Sequence, residues 1–336
     1  YKRQDLIYPL LRARLAVSVV NSSLESIARP DDPYVVVSQA QAFRFLERDD
    51  ISPTLLGARI RVACGLPCTE SSTSIQSFLS SDVRYHCANV LGRDLNHAPC
   101  VSFSVDRSSI PQNPFMLSDD EAVTLYNVDA NPSEFALGCY GEPRLVYTDK
   151  AFMRGQWRAS NRRTVHLGID IFAPAGTCLH APIDGSVYTV ENRKGHLDYG
   201  GMVVLMHETP DGDNFYSLYG HLDPAVCRHI VPGQLLKAGE IFAELGDKTN
   251  NGGWAPHLHL QLAVTVDGLG NDWPGVADPD ELALWNAICP NPAGLLNLAD
   301  KKVTYPVIDE ADVLQTRQRD LGANLKLSYR EPIMLM

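Results

Sequence analysis

Three features that mark common protein classes are missing from this sequence of 336 residues. No run approaches the roughly 20 apolar residues that a membrane-spanning helix needs, so a membrane partner is not expected. No Cys-x-x-Cys pair occurs, which argues against a zinc site built from thiolates. The formal net charge is −11, and this acidic balance argues against a general nucleic-acid binder.

The sequence also begins without the pattern of a secretory signal. Its first residue is Tyr1, and no basic stretch followed by an apolar stretch comes after it. Eight cysteines are scattered at irregular spacing, which favours reduced, mostly buried thiols over a disulfide framework. We therefore expect a cytoplasmic setting, with the true N-terminus of the polypeptide upstream of Tyr1.

The pattern of residues changes along the chain. Residues 1–66 carry apolar side chains at helical spacing, with helix-start signals at Ser38 and Ser52, and they predict a helical segment. Residues 67–150 alternate polar and apolar residues between prolines, which favours a small β-rich connecting module without visible chemistry. Residues 164–266 are dense in short strand-like runs separated by turn residues, which indicates a mainly antiparallel β domain.

Two motifs in the β-dense region pair residues that bind metals. His166-Leu-Gly-Ile-Asp170 places an imidazole and a carboxylate four residues apart, and His257-Leu-His259 places two imidazoles two apart. In an extended strand, alternate side chains point to the same face, so each pair can aim at one point from one strand. Two such strands side by side give a ligand set that suits a hydrolytic zinc ion with an open position for water.

A third motif, Tyr219-Gly-His221-Leu, lies between these two. In order and spacing the three motifs resemble the lysostaphin-type zinc metallopeptidases, also called LytM-like or glycyl-glycine endopeptidases. The resemblance covers about residues 160–265, and we assign residues 151–295 to the domain that it predicts. It implies a central β domain of the duplicated hybrid, or barrel-sandwich, type and the activity of a zinc metalloendopeptidase.

The resemblance also implies a role for each motif residue. The zinc ligands would be His166, Asp170 and His259. The residues beside the open coordination position would be His221 and His257, where imidazoles can accept and return protons or hydrogen-bond an oxyanion. One departure from secreted wall-cutting relatives is Trp254, which is expected close to the substrate groove and argues against specificity for glycine-rich crossbridges.

Shorter resemblances flank this domain. Residues 1–66 resemble the helical tail of a phosphotransferase-like domain of the choline-kinase or aminoglycoside-kinase type. Residues 296–336 resemble a linker and the start of a class-III aminotransferase, whose pyridoxal phosphate would be bound outside this chain. The whole is therefore expected to be an α+β multidomain protein, with the flanking domains of the same polypeptide as partners.

Two functions follow from these patterns. The first is hydrolysis of a peptide or a small amide by zinc-activated water, with histidines as acid and base. The second is a catalytically silent zinc-binding or ligand-binding module that positions neighbouring kinase-like and aminotransferase domains. The complete set of motif residues favours the first function, while the substrate and any self-association stay open.

Overall fold

A computed structural model describes most of the chain. The described residues are 6–48, 52–81, 87–101, 135–144, 163–271 and 273–306. Much of the predicted connecting module and the predicted aminotransferase-like start beyond residue 306 lie outside these ranges. Within the described ranges, no helix combines the length and the apolar composition that crossing a bilayer requires.

The backbone divides into a helical unit, Tyr1–Thr73 with Thr265–Trp273, and a β unit, Ser74–Val264 with Pro274–Met336. The helices of the first unit are α1 (Ile7–Ala28), a short 3₁₀ helix (Pro33–Val36), α2 (Gln39–Leu46) and α3 (Pro53–Ala63). The predicted helical N-terminal segment is confirmed.

The two predicted helix caps differ in outcome. Ser52 caps α3, because its hydroxyl accepts a hydrogen bond from the Leu55 amide at 3.2 Å and Pro53 occupies the first helical position. Ser38 precedes α2 but makes no capping bond. Its backbone is already in the helical region, whereas a capping side chain needs the extended conformation, so the capping box predicted at Ser38 is wrong.

The β unit is built from short strands joined by tight turns. Its strands are β1 (Cys100–Val101), β2 (Ala136–Gly138), β3 (Val165–His166), β4 (Ile169–Phe172), β5 (Cys178–His180), β6 (Gly185–Arg193), β7 (Gly200–Glu208), β8 (Asn214–Leu222), β9 (Leu235–Leu236), β10 (Ile241–Glu244), β11 (His257–Ala263) and β12 (Val276–Ala277). The remaining helices are α4 (Ser72–Ser81), α5 (Val226–His229), α6 (Leu282–Ile288) and α7 (Asp300–Val303), with 3₁₀ helices at Pro279–Glu281 and Pro292–Leu296.

Eight of these strands form one sheet in the order β1-β2-β4-β11-β8-β7-β6-β9. The β1–β2 pair is parallel and every other pair in this sheet is antiparallel. Two further pairs, β5 with β10 and β3 with β12, are also antiparallel. The structure therefore confirms the predicted mainly antiparallel β domain.

A helix interrupts the region predicted to be β-rich. Residues Ser72–Ser81 form α4, because Ile75, Phe78 and Leu79 recur at helical rather than alternating spacing. Ile75 and Leu79 are buried, and the ring of Phe78 packs against that of Phe215 at 5.9 Å. The β prediction for residues 67–150 is thus wrong at this helix, while β1 and β2 do come from that region.

His166 and Asp170 were expected to lie on one strand, but they lie on two, β3 and β4. β3 pairs with β12, whereas β4 pairs with β11 and β2, so the chain changes partners at Leu167 and Gly168. A side chain at Gly168 would come within 2.6 Å of the carbonyl oxygen of Leu260. Only a glycine allows the backbone to cross β11 this closely.

Strand β11 separates polar from apolar side chains by strict alternation. His257, His259 and Gln261 point to one face, and the leucines between them point to the other. Leu258 and Leu260 belong to the main hydrophobic core of the β unit. Burial of these leucines fixes the register of β11, and the register in turn fixes where the polar side chains point.

Candidate metal centre and acid–base residues

Three ligand atoms converge on the β unit. His166 ends β3, Asp170 lies in β4, and His259 lies directly opposite Asp170 in β11. The Nε2 atom of His166, the Nδ1 atom of His259 and the Oδ1 atom of Asp170 form a triangle with three sides of 3.1 Å. All three side chains are buried. The structure thus brings together the residues predicted as metal ligands.

The hydrogen bonds behind the triangle fix which ring nitrogens carry protons. The Nδ1 atom of His166 lies 2.9 Å from the carbonyl oxygen of Cys139, which can only accept, so this nitrogen donates. The Nε2 atom of His259 lies 3.0 Å from Oε1 of Gln261, whose amide nitrogen is committed to the carbonyl of Pro274. Both imidazoles therefore turn an unprotonated nitrogen toward Asp170.

The electrostatic surroundings keep these groups in the form that binds metal. Burial first, and the Arg144 charge second, lower the pKa of His166 to about 4. Burial alone would raise the pKa of Asp170, but His166 and Arg144 outweigh it and hold that pKa well below its usual value. At neutral pH the triangle thus contains a neutral His166 imidazole and an Asp170 carboxylate.

The triangle fits a zinc ion. Ligands placed tetrahedrally at about 2.0–2.1 Å from zinc are about 3.3 Å apart, close to the observed 3.1 Å sides. Two imidazoles and one carboxylate leave a fourth position open. Three electron-rich atoms at this separation repel one another unless a cation lies between them, so the donor set favours a bound metal.

His257 and His221 stand beside the triangle. The Nε2 atom of His257 lies 3.7 Å from Oδ1 of Asp170, and the rings of His221 and His257 are 4.3 Å apart. In each ring Nδ1 donates to a backbone carbonyl. The Nδ1 atom of His257 donates to Ala255 at 2.7 Å, and that of His221 donates to Asn251 at 3.0 Å. Each therefore keeps Nε2 as its proton-accepting atom.

Burial is the main cause that lowers the pKa of both histidines. For His221 the neighbouring His257 and His259 lower the pKa further, to well below its usual value. For His257 the Asp170 carboxylate opposes the shift, yet the pKa still lies below its usual value. Both imidazoles are accordingly neutral at pH 7 and able to accept a proton.

The backbone at His221 is unusual. Its φ of 64° lies in the left-handed region, which residues other than glycine seldom adopt, although Asn, Asp and His do so more often than the rest. The amide of His221 donates to the carbonyl of Tyr199 at 2.7 Å, and its carbonyl accepts from Gly246 at 2.9 Å. These two bonds hold the strained conformation, which turns the ring toward His257.

A loop fastened by Asn251 supports His221. The Asn251 side chain is fully buried, accepts from the amides of Gly253 and Trp254, and donates to the carbonyl of Trp254. The indole of Trp254 consequently lies 5.5 Å from the His221 ring and 6.0 Å from the His257 ring. Trp254 was predicted near the groove, whereas Asn251 was not singled out.

Four residues that support the site were missed in the sequence. Gln261 extends the alternation of His257 and His259 by one step, and this spacing could have identified it. Asn251 precedes two glycines, a pattern that predicts a turn but does not predict which groups the Asn251 side chain bonds. Arg144 bonds Asp170 at 2.6 Å and Glu142 at 2.8 Å, so residues 67–150, where no site residue was predicted, do contact the candidate site.

Four other described histidines of the β unit, His180, His196, His207 and His229, do not join the site. His207 is buried, with Nε2 2.7 Å from the hydroxyl of Ser217, and burial lowers its pKa to about 4. His180 bonds the carbonyl of Gly239 through Nδ1, and His196 and His229 are exposed. None of these four positions contacts the triangle, and each is either bonded elsewhere in the β unit or exposed.

Replacing Gly168 with alanine is expected to damage fold and site together. The added methyl group would meet Cε1 of His259 at 2.7 Å as well as the Leu260 carbonyl. We expect a loss of about 1–3 kcal/mol in the free energy of unfolding, the usual effect of overpacking, together with weaker zinc binding. Urea unfolding with chelator present and a zinc titration measure the two effects separately.

Gly195→Ala is the matched control. Gly195 is exposed, and a methyl group there meets only the side chain of Asp198, at 3.1 Å. Equal unfolding free energies and zinc affinities for the two variants would contradict the packing argument at Gly168.

The residues of the candidate site lie in a segment that is similar to a known protein family. The profile of Peptidase family M23 matches residues 164–269. The DD-carboxypeptidase/endopeptidase Mpg of Neisseria meningitidis serogroup B is 30% identical over 164 residues, which are 49% of this chain and 32% of that protein. An uncharacterized metalloprotease of Haemophilus influenzae is 32% identical over 99 residues, 30% of this chain and 18% of that protein.

Solved structures give matches of similar extent. The catalytic domain of the antimicrobial peptidase lysostaphin from Staphylococcus simulans is 27% identical, with a TM-score of 0.26. That match covers 36% of this chain and 80% of the lysostaphin domain. The chain spans about a third or less of the length of the two curated relatives described above.

Proposed function

We propose that this chain hydrolyses peptide or small amide bonds with the help of a zinc ion, because the profile of peptidase family M23 matches residues 164–269. His166, Asp170 and His259 would hold the ion. The observation that carries the proposal is the triangle of three unprotonated ligand atoms, 3.1 Å apart on each side, beside two neutral histidines.

Zinc would supply Lewis acidity, which polarises a carbonyl group and lowers the pKa of water. The chain's own residues would supply the proton transfers. His257 and His221 each present Nε2 as a lone pair, since Nδ1 is committed to the backbone. Whichever ring accepts the proton of the attacking water becomes a donor at the same atom, and can then protonate the leaving amine.

The histidine that does not accept the proton of water could stabilise an oxyanion, but only under one condition. A neutral histidine whose Nδ1 already donates to a carbonyl cannot donate from Nε2, so it stabilises an oxyanion only when protonated. We therefore propose that His221 and His257 share one proton during turnover. Their 4.3 Å ring separation and common burial support coupled titration of the pair.

The substrate proposal is limited to a peptide or a small amide. A curated relative is named a DD-carboxypeptidase/endopeptidase, which supports a peptide bond as the scissile group. Trp254 supports a substrate that can stack against an aromatic wall beside the acid–base pair, because its indole borders both rings.

Metal analysis combined with a hydrolysis screen tests this function. We expect about one zinc per purified chain, hydrolysis of at least one member of a panel of peptides and small amides, loss of that activity on chelation, and its return with zinc. Unchanged hydrolysis by metal-free protein would contradict the proposal. Bound zinc without hydrolysis across the panel would favour the silent positioning module instead.

The wider architecture is a separate proposal. We propose that residues 1–66 belong to a phosphotransferase-like domain, that residues 296–336 lead into an aminotransferase-like domain, and that the β unit is of the barrel-sandwich type. Large apolar side chains exposed on α1, including Leu24 and Ile27, support a further packing partner for that helix. None of the eight cysteines forms a disulfide, which supports a cytoplasmic setting.

A further inference from the structure

We infer that Arg144, held by Glu142, is a positioning residue that selects which oxygen of Asp170 faces the metal. This inference rests on the proposed zinc site and adds a part of it that lies outside residues 164–269, the range of the family match. It concerns a segment upstream of β3, from Gly138 to Arg144.

The contacts of Arg144 reach the metal ligand directly. Its Nη1 atom donates to Oδ2 of Asp170 at 2.6 Å, and its Nε atom donates to Oε2 of Glu142 at 2.8 Å. The three side chains are 5%, 3% and 0% exposed, respectively. Charge-assisted bonds in a buried place are strong and hold their partners in one geometry.

The bond to Oδ2 leaves Oδ1 for the metal. Oδ1 is the oxygen that lies 3.1 Å from the ligand nitrogens of both His166 and His259. With Oδ2 held by a guanidinium, Asp170 can supply only one oxygen to the ion. A carboxylate that binds through one oxygen keeps the protein ligand number at three and the fourth position open.

The segment from Gly138 to Arg144 also forms three hydrogen bonds with His166. The Gly141 amide donates to the carbonyl of His166 at 2.8 Å, and the amide of His166 donates to the carbonyl of Glu142 at 2.9 Å. The ring of His166 donates to the carbonyl of Cys139. Two of the three ligands are therefore oriented by residues 138–144.

Close packing against Gly138 limits the movement of the Arg144 guanidinium. Gly138 pairs with Asp170 across β2 and β4, and a side chain there would meet Nη2 of Arg144 at 2.7 Å. The guanidinium and the Asp170 carboxylate thus both pack against the β2 backbone at Gly138. A shorter or more flexible cation would not fill the same place.

A buried ion pair can also be a purely structural feature, and the two roles predict different results. A structural pair would affect unfolding but not the coordination of the metal. Removing Arg144 alone would leave two buried anions beside the site and would mix electrostatics with orientation. The informative change removes Glu142 and Arg144 together, because the net charge of the protein then stays the same.

The test compares zinc affinity and the cobalt spectrum of four full-length proteins. These are the wild type, the double variant Glu142→Gln with Arg144→Met, the single variant Arg144→Lys, and Arg61→Met as control. Among the described residues, Arg61 is the other buried arginine, and its Nε atom donates to the carbonyl of Pro67 in the helical unit.

We expect the double variant to bind zinc about 10–100-fold more weakly, as is typical when a partner of a metal ligand is lost. We also expect weaker visible absorption of bound cobalt, because a released Oδ2 raises the coordination number. Arg144→Lys should recover part of the affinity, since it keeps the charge but offers one donor in place of a fork. Arg61→Met should match the wild type in both measurements.

A double variant with the wild-type zinc affinity and cobalt spectrum would overturn the inference. If the double variant does not fold, the cobalt spectrum of Arg144→Lys becomes the test. A spectrum of Arg144→Lys identical to that of the wild type would count against the positioning role. A wild-type protein that binds no zinc would instead refute the proposed function, so the two failures are distinguishable.

Discussion

His166→Ala is expected to remove zinc from the protein, with a stoichiometry that falls from about one per chain to near zero after desalting. The variant leaves Asp170 and His259 as the only two members of the triangle, and two ligands hold zinc far less tightly than three. Hydrolysis should disappear with the metal. Elemental analysis of the purified protein and the hydrolysis assay measure the two losses.

His229→Ala provides the control for this change. His229 is an exposed histidine of α5, so its replacement removes an imidazole without touching the site. Asp170→Asn offers a second variant of the ligand set with almost unchanged side-chain volume. A His166→Ala protein that is folded and still carries one zinc per chain would show that the triangle is not the metal site.

His257→Ala and His221→Ala are expected to separate chemistry from metal binding. Each removes a proton acceptor beside the triangle but none of its three atoms, so zinc content should stay near that of the wild type. Hydrolysis should fall by about 10²–10⁴-fold, the usual contribution of a positioned acid or base. Rates at saturating substrate, together with zinc analysis of the same samples, measure this separation.

The double variant His221→Ala with His257→Ala tests whether the two rings share one proton. If the two rings share one proton, the loss in the double variant should be much smaller than the product of the single losses, because each ring depends on the other. Single variants with wild-type rates would exclude both histidines from catalysis and would favour the silent positioning module.

The strands of the β unit were accessible from the sequence because their patterns are local. β6, β7, β8 and β11 lie where short strand-like runs between turn residues predicted strands. Alternation along β11 likewise placed His257 and His259 on one face, whereas His166 and Asp170 lie on different strands, β3 and β4.

The supporting contacts could not be predicted in this way. Arg144 precedes Asp170 by 26 residues and reaches it only because β2 pairs with β4. The break at Gly168 depends on the distance between two backbones, which no single-residue preference reveals. Likewise, α4 was missed because a short helix with three apolar positions differs from a strand only in their spacing.

The alternation along β11 makes the site sensitive to insertion. Moving the strand by one residue against β4 and β8 would turn Leu258 and Leu260 toward the candidate metal centre and bury His257 and His259 among core leucines. An added residue within His257–Ala263 is therefore expected to remove the proposed ligand and the proposed acid–base residue together. The exposed turn at Asp211–Gly212 before β8 has no such coupling, so variation in chain length is expected to be tolerated there and not in β11.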